Sequence, residues 1–133
     1  VGDIPDSEVG NFGIIEGNRI AEKTFKVVNM IEKPKVGEAP SNLAILGRYI
    51  LTPEIFDILD KVQPGSGGEI QLTDGLVRLM GSQNIYALEL LGRRYDVGNP
   101  LGLLKASIGV ALSEEGVGED LAAYMKGLDL DRI

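Results

Sequence analysis

The sequence predicts an α/β fold in which a mixed sheet is flanked by helices, and three observations support this class. Short apolar runs at residues 24–31 and 43–50 are typical of strands. Longer stretches after residues 52 and 100 repeat apolar side chains at the spacing of a helix. Strands and helices alternate, but no glycine-rich phosphate loop follows the first strand. This order is typical of the later part of a larger α/β domain.

The first predicted elements are a β-hairpin and a sheet strand. Residues 12–15 are a short apolar run, and Glu16-Gly17-Asn18 behind them has the composition of a turn. Residues 24–31 are rich in Phe, Val and Ile and predict a strand, which Pro34 ends because proline cannot donate a ladder hydrogen bond. After a loop, the apolar run 43–50 predicts a strand that is buried on both faces of a mixed or parallel sheet.

A helix is predicted to begin at Thr52, with Thr52 as the N-cap, Pro53 in the first turn and Glu54 next to the positive end of the helix dipole. The apolar side chains of this helix are expected to pack on the sheet. They are Ile55, Phe56, Ile58, Leu59 and Val62.

The rest of the chain is predicted to continue as loop, helix and strand. A second helix is expected to begin near Thr73, after a loop over residues 63–68. Its apolar stripe consists of Leu72, Leu76, Leu79 and Met80. Residues 84–91 predict a strand, and residues 93–100 a strand end that runs into a helix start. Two final helices are expected over residues 101–112 and 119–128. The first of them should bury Leu101, Leu104, Ile108 and Leu112.

The composition excludes several classes of function. The 133 residues contain no cysteine and no histidine, which excludes disulfides, the common zinc sites and catalysis of the Ser-His-Asp or Cys-His type. The net charge of −7 disfavours nucleic-acid binding, although a local lysine or a bound metal ion can still hold a small phosphate. No apolar run approaches the roughly 18 residues that span a membrane, and no signal-peptide pattern is present. We therefore expect a cytoplasmic location and no membrane partner.

Four segments stand out by their order and spacing. They are Asn11-Phe12-Gly13, Glu32-Lys33-Pro34, Gly67-Gly68-Glu69-Ile70-Gln71-Leu72-Thr73-Asp74 and Tyr95-Asp96-Val97-Gly98-Asn99. Together with residues 38–44 and 47–56, they resemble the nucleotidyltransferases that join a sugar 1-phosphate to a nucleoside triphosphate. The bacterial UTP–glucose-1-phosphate uridylyltransferases are the most similar. The resemblance covers most of the chain. It implies that residues 1–133 are the C-terminal, sugar-phosphate-binding part of a Rossmann-like nucleotidyltransferase domain.

The resemblance also implies a reaction and the residues that support it. In such enzymes glucose 1-phosphate and UTP react with Mg²⁺ to give UDP-glucose and pyrophosphate. Lys33 is then the catalytic cation at the phosphates, and Glu32 accepts hydrogen bonds from glucose hydroxyls. Gly13 lets the backbone approach the sugar, although Phe12 replaces the tyrosine of the family beside it. Asp96 is the expected Mg²⁺ ligand, and the family's second aspartate comes from the N-terminal half.

Each of these residues also has a structural alternative. Gly13 could serve a bulge or a turn, and Lys33 could be a solvated lysine beside a turn. Glu32 could be an exposed residue at a strand end that pairs with a nearby lysine. Asp96 could cap the helix that follows it. Two further groups have open alternatives between structure and binding: Glu69, Gln71 and Asp74 at the second helix, and Arg48 and Tyr49 on the apolar run.

The triphosphate site is expected to lie outside this chain. No Gly-x-Gly-Thr-Arg-like segment occurs in the sequence, so we expect the chain to be inactive alone. It should need an N-terminal half or associate with itself, because exposed strand edges favour pairing. Two other functions stay open: part of a thymidylyl- or guanylyltransferase, and a non-catalytic assembly module of the same fold. The stretch Pro40-Ser41-Asn42-Leu43-Ala44 favours uridine, and the presence of the candidate site residues argues against a lost reaction.

Overall fold

The computed structural model describes residues 1–65 and 68–129, and it divides the chain into two units. The first unit, Val1–Leu91, contains a sheet and two helices. The second unit, Gly92–Ile133, contains two further helices. None of the helices in the described residues is long and apolar enough to cross a bilayer.

Five strands form one sheet in the first unit, in the spatial order β1-β4-β2-β3-β5. The strands are β1 Gly2–Asp3, β2 Gly13–Ala21, β3 Thr24–Glu32, β4 Leu43–Ala44 and β5 Tyr86–Leu88. A 3₁₀ helix over Asp6–Asn11 leads into β2. The long central hairpin of β2 and β3 sets the first residue of β2 opposite the last residue of β3.

Both faces of the sheet are covered where β2 begins. Because successive residues of a strand point to opposite faces, the fully buried pair Ile14 and Ile15 belongs to two separate clusters. Ile14 packs in a small cluster with Ile4, Val9 and Ala44. Ile15 packs in the main core, which the helices α1 Glu54–Leu59 and α2 Leu72–Leu79 cover. The other buried members of the main core are Phe25, Val27, Met30, Ile55, Leu76, Leu79 and Ala87.

The second unit contains α3 Pro100–Ala111 and α4 Gly118–Lys126. Asn99 caps α3, since its side chain accepts a hydrogen bond of 2.8 Å from the backbone N–H of Gly102. Pro100 occupies the first helical position, where its missing N–H costs nothing.

The predicted α/β class is confirmed, but the sheet differs from the expected one in its strand directions. Every strand pair among the described residues is antiparallel. The predicted hairpin is present, while its turn lies at Glu22 and Lys23 instead of residues 16–18. The strand β2 continues through Gly17, where its register with β3 shifts. A β-carbon there would lie 3.1 Å from Cβ of Phe25, so this glycine permits close backbone packing inside a strand.

The prediction of a long buried strand over residues 43–50 is wrong. The strand ends at Ala44, because its neighbour β2 offers no further partner. Ile45 N–H still bonds to the carbonyl of Gly13 at 2.8 Å, but Gly13 is the first residue of β2. The next carbonyl back, that of Phe12, accepts a hydrogen bond from Lys33. The predicted strand over residues 84–91 is likewise shortened, to Tyr86–Leu88.

The helix predicted at Thr52 begins at Glu54, and no side chain caps it. The hydroxyl of Thr52 instead accepts a hydrogen bond of 2.9 Å from the side chain of Gln83. Ile55 is buried as predicted, but Phe56 is 70% exposed, so its assignment to the apolar face is wrong. The second helix begins at Leu72, next to the predicted Thr73.

The predicted burial of the third helix is wrong. The side chains expected to be buried are exposed by 60% at Leu101, 60% at Leu104, 38% at Ile108 and 41% at Leu112. Helical spacing predicts which side chains share a face, and it does not supply the surface that would cover them. The described part of residues 93–99 also contains no strand.

Candidate functional site

Glu32, the predicted sugar-binding carboxylate, is held at the end of β3 by a threonine from a distant part of the chain. The hydroxyl of Thr73 donates a hydrogen bond of 2.5 Å to Oε2 of Glu32. Thr73 is the second residue of α2 and lies 41 positions away in sequence. It is 3% exposed, whereas Glu32 is half-buried. Glu32 is therefore partly open to solvent, while one of its carboxylate oxygens is bonded to a buried hydroxyl.

Gly13 is buried directly beside this hydrogen bond, opposite Glu32 in the sheet. A β-carbon at Gly13 would lie 2.9 Å from Oε2 of Glu32 and 3.2 Å from Oγ1 of Thr73. It would also lie 3.1 Å from Cδ1 of Ile45. The space that a side chain would need is thus filled by the anchored carboxylate, so the position requires glycine. The structure brings the predicted pair Gly13 and Glu32 together.

Lys33 follows Glu32 in a left-handed backbone conformation, with φ of 47°. No other non-glycine residue in the described ranges has a positive φ. This conformation costs a non-glycine residue about 1–2 kcal/mol. The backbone N–H of Lys33 bonds to the carbonyl of Phe12 at 2.9 Å, and the buried Pro34 follows. The chain is therefore fixed on both sides of Lys33, while its side chain is exposed.

The phenol of Tyr49 lies in the field of the same carboxylate. Burial raises the pKa of Tyr49, and the negative charge of Glu32 raises it further because it disfavours tyrosinate. The side chain remains 42% exposed. The exposure of Tyr49 argues against the core alternative, and its contact with a sugar or with another subunit stays a prediction.

The loop before β4 is positioned by Ser41. Its hydroxyl donates to the carbonyl of Ile15 at 2.6 Å and accepts from the N–H of Leu43 at 2.9 Å. Asn42 also bonds to the side chain of Asp6. These contacts fix β4 next to the start of β2, where Ile45 closes one side of the space at Gly13. This segment therefore shapes the site through the backbone.

Asp96 belongs to the second unit, and its local contacts differ from those expected. Its Oδ1 accepts a hydrogen bond of 3.0 Å from the N–H of Gly98, and its Oδ2 accepts one of 3.4 Å from the side chain of Asn99. The alternative that Asp96 caps the helix is wrong, because Asn99 is the cap. No group of three or more acidic, histidine or cysteine side chains that could hold a metal occurs in the described parts of the chain. Its role as a Mg²⁺ ligand stays a prediction.

Glu69, Gln71 and Asp74, at the start of α2, have structural positions. Gln71 is the N-cap residue without a capping side-chain bond, and Asp74 lies in the first turn, next to the positive end of the helix dipole. The carbonyl of Glu69 accepts a hydrogen bond from the N–H of Gly65 at 2.9 Å. The helix-entry alternative is therefore favoured for Asp74.

Thr73 is the site residue whose role the sequence does not reveal. One signal is present, because Thr73, Leu76 and Met80 share one face of a helix by their spacing. A polar side chain on the apolar stripe must find a hydrogen-bond partner when it is buried. Nothing in the spacing identifies Glu32 as that partner.

Comparison with known proteins gives a consistent picture. The nucleotidyl transferase family profile matches residues 1–112. UTP–glucose-1-phosphate uridylyltransferase of Staphylococcus epidermidis is 46% identical over 130 residues, which are 98% of this chain and 45% of that protein. UTP–glucose-1-phosphate uridylyltransferase 2 of Streptococcus pyogenes serotype M3 is 47% identical over 123 residues, or 92% of this chain and 41% of that protein. The chain thus spans less than half the length of these relatives.

Two solved structures share the fold. A crystal structure of UDP-glucose pyrophosphorylase in complex with UDP-glucose superposes with a TM-score of 0.78 at 41% identity. It covers 83% of this chain and 42% of that one. UTP-bound UGPase from Acinetobacter baumannii superposes with a TM-score of 0.80 at 31% identity, over 96% of this chain and 44% of that one.

The substitution Gly13→Ala should displace the Glu32 carboxylate. The added methyl group would collide with Glu32, Ile45 and Thr73, so we expect the free energy of unfolding to fall by about 1–3 kcal/mol. Urea denaturation measures this change. Gly10→Ala is the matched control, since its β-carbon would meet only a carbonyl oxygen at 3.5 Å. Equal stability of the two variants would contradict the crowding at Gly13.

The substitution Glu32→Gln should lower the pKa of Tyr49 towards its ordinary value, leaving only the part that is due to burial. The absorbance of tyrosinate, followed against pH for both proteins, measures the change. A raised folded-state pKa means that the stability contribution is complete below about pH 10 and is lost as the pH rises through the folded-state value. Glu38→Gln, on an exposed residue, is the control. Identical titrations of the wild type and Glu32→Gln would exclude the proximity of the two side chains.

Proposed function

The chain belongs to the nucleotidyl transferase family, and we propose that it is the glucose 1-phosphate-binding part of a UTP–glucose-1-phosphate uridylyltransferase. The whole enzyme would form UDP-glucose and pyrophosphate from UTP and glucose 1-phosphate. One observation carries the proposal: a carboxylate, anchored through one oxygen, lies next to an exposed lysine that the backbone holds at the same strand end.

The proposed roles follow from the needs of this reaction. Two anionic reactants must be brought together, so positioning and charge neutralisation supply most of the rate enhancement. Lys33 provides a compact positive charge for the phosphate of glucose 1-phosphate. Glu32 accepts hydrogen bonds from sugar hydroxyls through the oxygen that Thr73 does not occupy. Gly13, without a side chain, allows the sugar to approach the backbone.

Mg²⁺ would add positive charge at the phosphates, and the family commonly uses a divalent metal. In this chain Asp96 is the proposed ligand, since a carboxylate is the hard oxygen donor that Mg²⁺ prefers. The described residues contain no group of three or more candidate ligands, so Asp96 fits the ion as one ligand of a shell that phosphate oxygens and other residues complete.

The relatives support uridine as the base. The two curated relatives are named UTP–glucose-1-phosphate uridylyltransferases, and the two solved structures contain UDP-glucose or UTP. No observation favours the thymidylyl, guanylyl or non-catalytic alternatives. The expected homo-oligomer, the N-terminal partner half and the cytoplasmic location stay predictions.

The substitution Lys33→Ala should weaken binding of glucose 1-phosphate to the chain by about 10–100-fold, because a hydrogen bond to a charged group contributes roughly 1.5–3 kcal/mol. Isothermal titration calorimetry measures the dissociation constant. Lys35→Ala is the matched control, since Lys35 is also exposed and lies on the same loop. Equal, measurable affinity of both variants and the wild type would remove Lys33 from its role. A wild-type chain that does not bind glucose 1-phosphate would contradict the proposed function.

The 133-residue chain alone should not form UDP-glucose. Its sequence contains no glycine-rich segment of the kind that holds the triphosphate, and it spans less than half the length of the enzymes it resembles. Purified chain, UTP, glucose 1-phosphate and Mg²⁺ can be incubated together, and pyrophosphate release and UDP-glucose measured by chromatography. Magnesium-dependent formation of UDP-glucose would show that the chain itself binds the triphosphate, and it would refute this prediction.

A further inference from the structure

The structure assigns to Thr73 a role that neither its sequence position nor the named relatives indicate: we propose that it is a positioning residue that fixes Glu32 for recognition of the sugar. The proposal rests on the function proposed above, because it concerns the sugar that Glu32 would bind. Its geometric basis is the 2.5 Å hydrogen bond from the Thr73 hydroxyl to Oε2 of Glu32.

Local helix structure does not explain a threonine at this position. Threonine near a helix start often satisfies free backbone N–H groups, but the N-cap of α2 is Gln71 and no side chain caps this helix. The hydroxyl of Thr73 instead donates across 41 positions of sequence. Among the described residues, Thr73 is the one polar side chain that is buried, and the other buried side chains are apolar. A buried hydroxyl without its partner would be costly, so the contact with Glu32 ties the two residues together.

The helix that carries Thr73 is held firmly in place. Leu76 and Leu79 are each 3% exposed and belong to the main core. Gly75, two residues after Thr73, packs closely against α1. A β-carbon at Gly75 would lie 2.7 Å from Cδ2 of Leu59. The hydroxyl therefore sits on a rigid element, which is what precise orientation of a binding group requires.

The hydrogen bond gives the two carboxylate oxygens of Glu32 different roles. Oε2 is occupied by Thr73 and lies against the backbone of Gly13, whereas Oε1 has no hydrogen-bond partner among the described residues. A charged acceptor makes strong, short hydrogen bonds, so Thr73 removes freedom from the long glutamate side chain before a ligand arrives. Preorganisation of this kind improves affinity because less ordering is needed on binding. Thr73 thus directs Oε1 to a sugar hydroxyl and does not touch the sugar's phosphate.

The first experiment tests the contact without any ligand. The melting temperatures of Thr73→Val, Glu32→Leu and the double variant form a double-mutant cycle, since each single change removes one partner of the hydrogen bond. If the two residues act as a pair, the melting temperature of the double variant falls by less than the sum of the two single decreases. Additive decreases would overturn the proposal, because Thr73 would then have no energetic connection with Glu32.

The second experiment tests the role in recognition. We expect Thr73→Val to weaken binding of glucose 1-phosphate about 10-fold, since a hydrogen bond to a charged group is lost. Binding of inorganic phosphate, which has no sugar hydroxyls, should stay unchanged. Thr73→Ser restores the hydroxyl and should return the affinity for glucose 1-phosphate to within about 3-fold of the wild type. Thr24→Val, at the other end of β3, is the matched control and should bind like the wild type.

The outcomes separate this inference from the proposed function. If the wild type binds glucose 1-phosphate and Thr73→Val binds it equally well, the positioning role is wrong and the proposed function stands. An equal loss of affinity for both ligands, or no rescue by Thr73→Ser, would indicate a general structural defect and also overturn the role. If the wild type binds no glucose 1-phosphate, the proposed function fails, and the role of Thr73 in sugar recognition fails with it.

Discussion

The pairing of Gly13 with Glu32 at one end of the central hairpin is the constraint on which the candidate site depends. This register brings a residue without a side chain opposite a carboxylate, and the carboxylate fills the free space. Ile45, which follows β4, and Thr73 of α2 lie at the same end of the sheet. Three separate parts of the chain thus meet around the space at Gly13. A shift of the hairpin by one residue would move Glu32 to the other face and break all of these contacts.

Local sequence patterns predicted the elements whose neighbours are also close in sequence. The Phe, Val and Ile content of residues 24–31 predicted the strand β3, and the spacing of Leu76 and Leu79 predicted the face of α2 that packs in the core. The helix predicted over residues 101–112 is present as α3, which begins at Pro100. The motif that contains Glu32 and Lys33 identified both candidate residues, because the family resemblance is carried by contiguous residues.

The features that the sequence did not predict depend on partners that local spacing does not identify. The strand expected over residues 43–50 stops because β2 begins at Gly13, a fact set by the register of the whole sheet. The apolar side chains of α3 satisfy the spacing rule, yet the rule cannot supply a covering surface. Thr73 and Glu32 are 41 positions apart in sequence, and the spacing of a threonine on a helix does not identify the residue to which it bonds.

The backbone conformation of Lys33 and its charged side chain have different explanations. Its left-handed conformation would suit glycine better, and lysine bears a cost of about 1–2 kcal/mol there. The fixed backbone explains why the conformation exists, since the N–H of Lys33 bonds to Phe12 and Pro34 is buried. It does not explain the side chain, whose ammonium has no partner within the described residues and remains exposed. Folding alone therefore accounts for the turn but not for the lysine. An anionic ligand beside Glu32 would account for the lysine, because the ammonium is the group that glycine cannot provide.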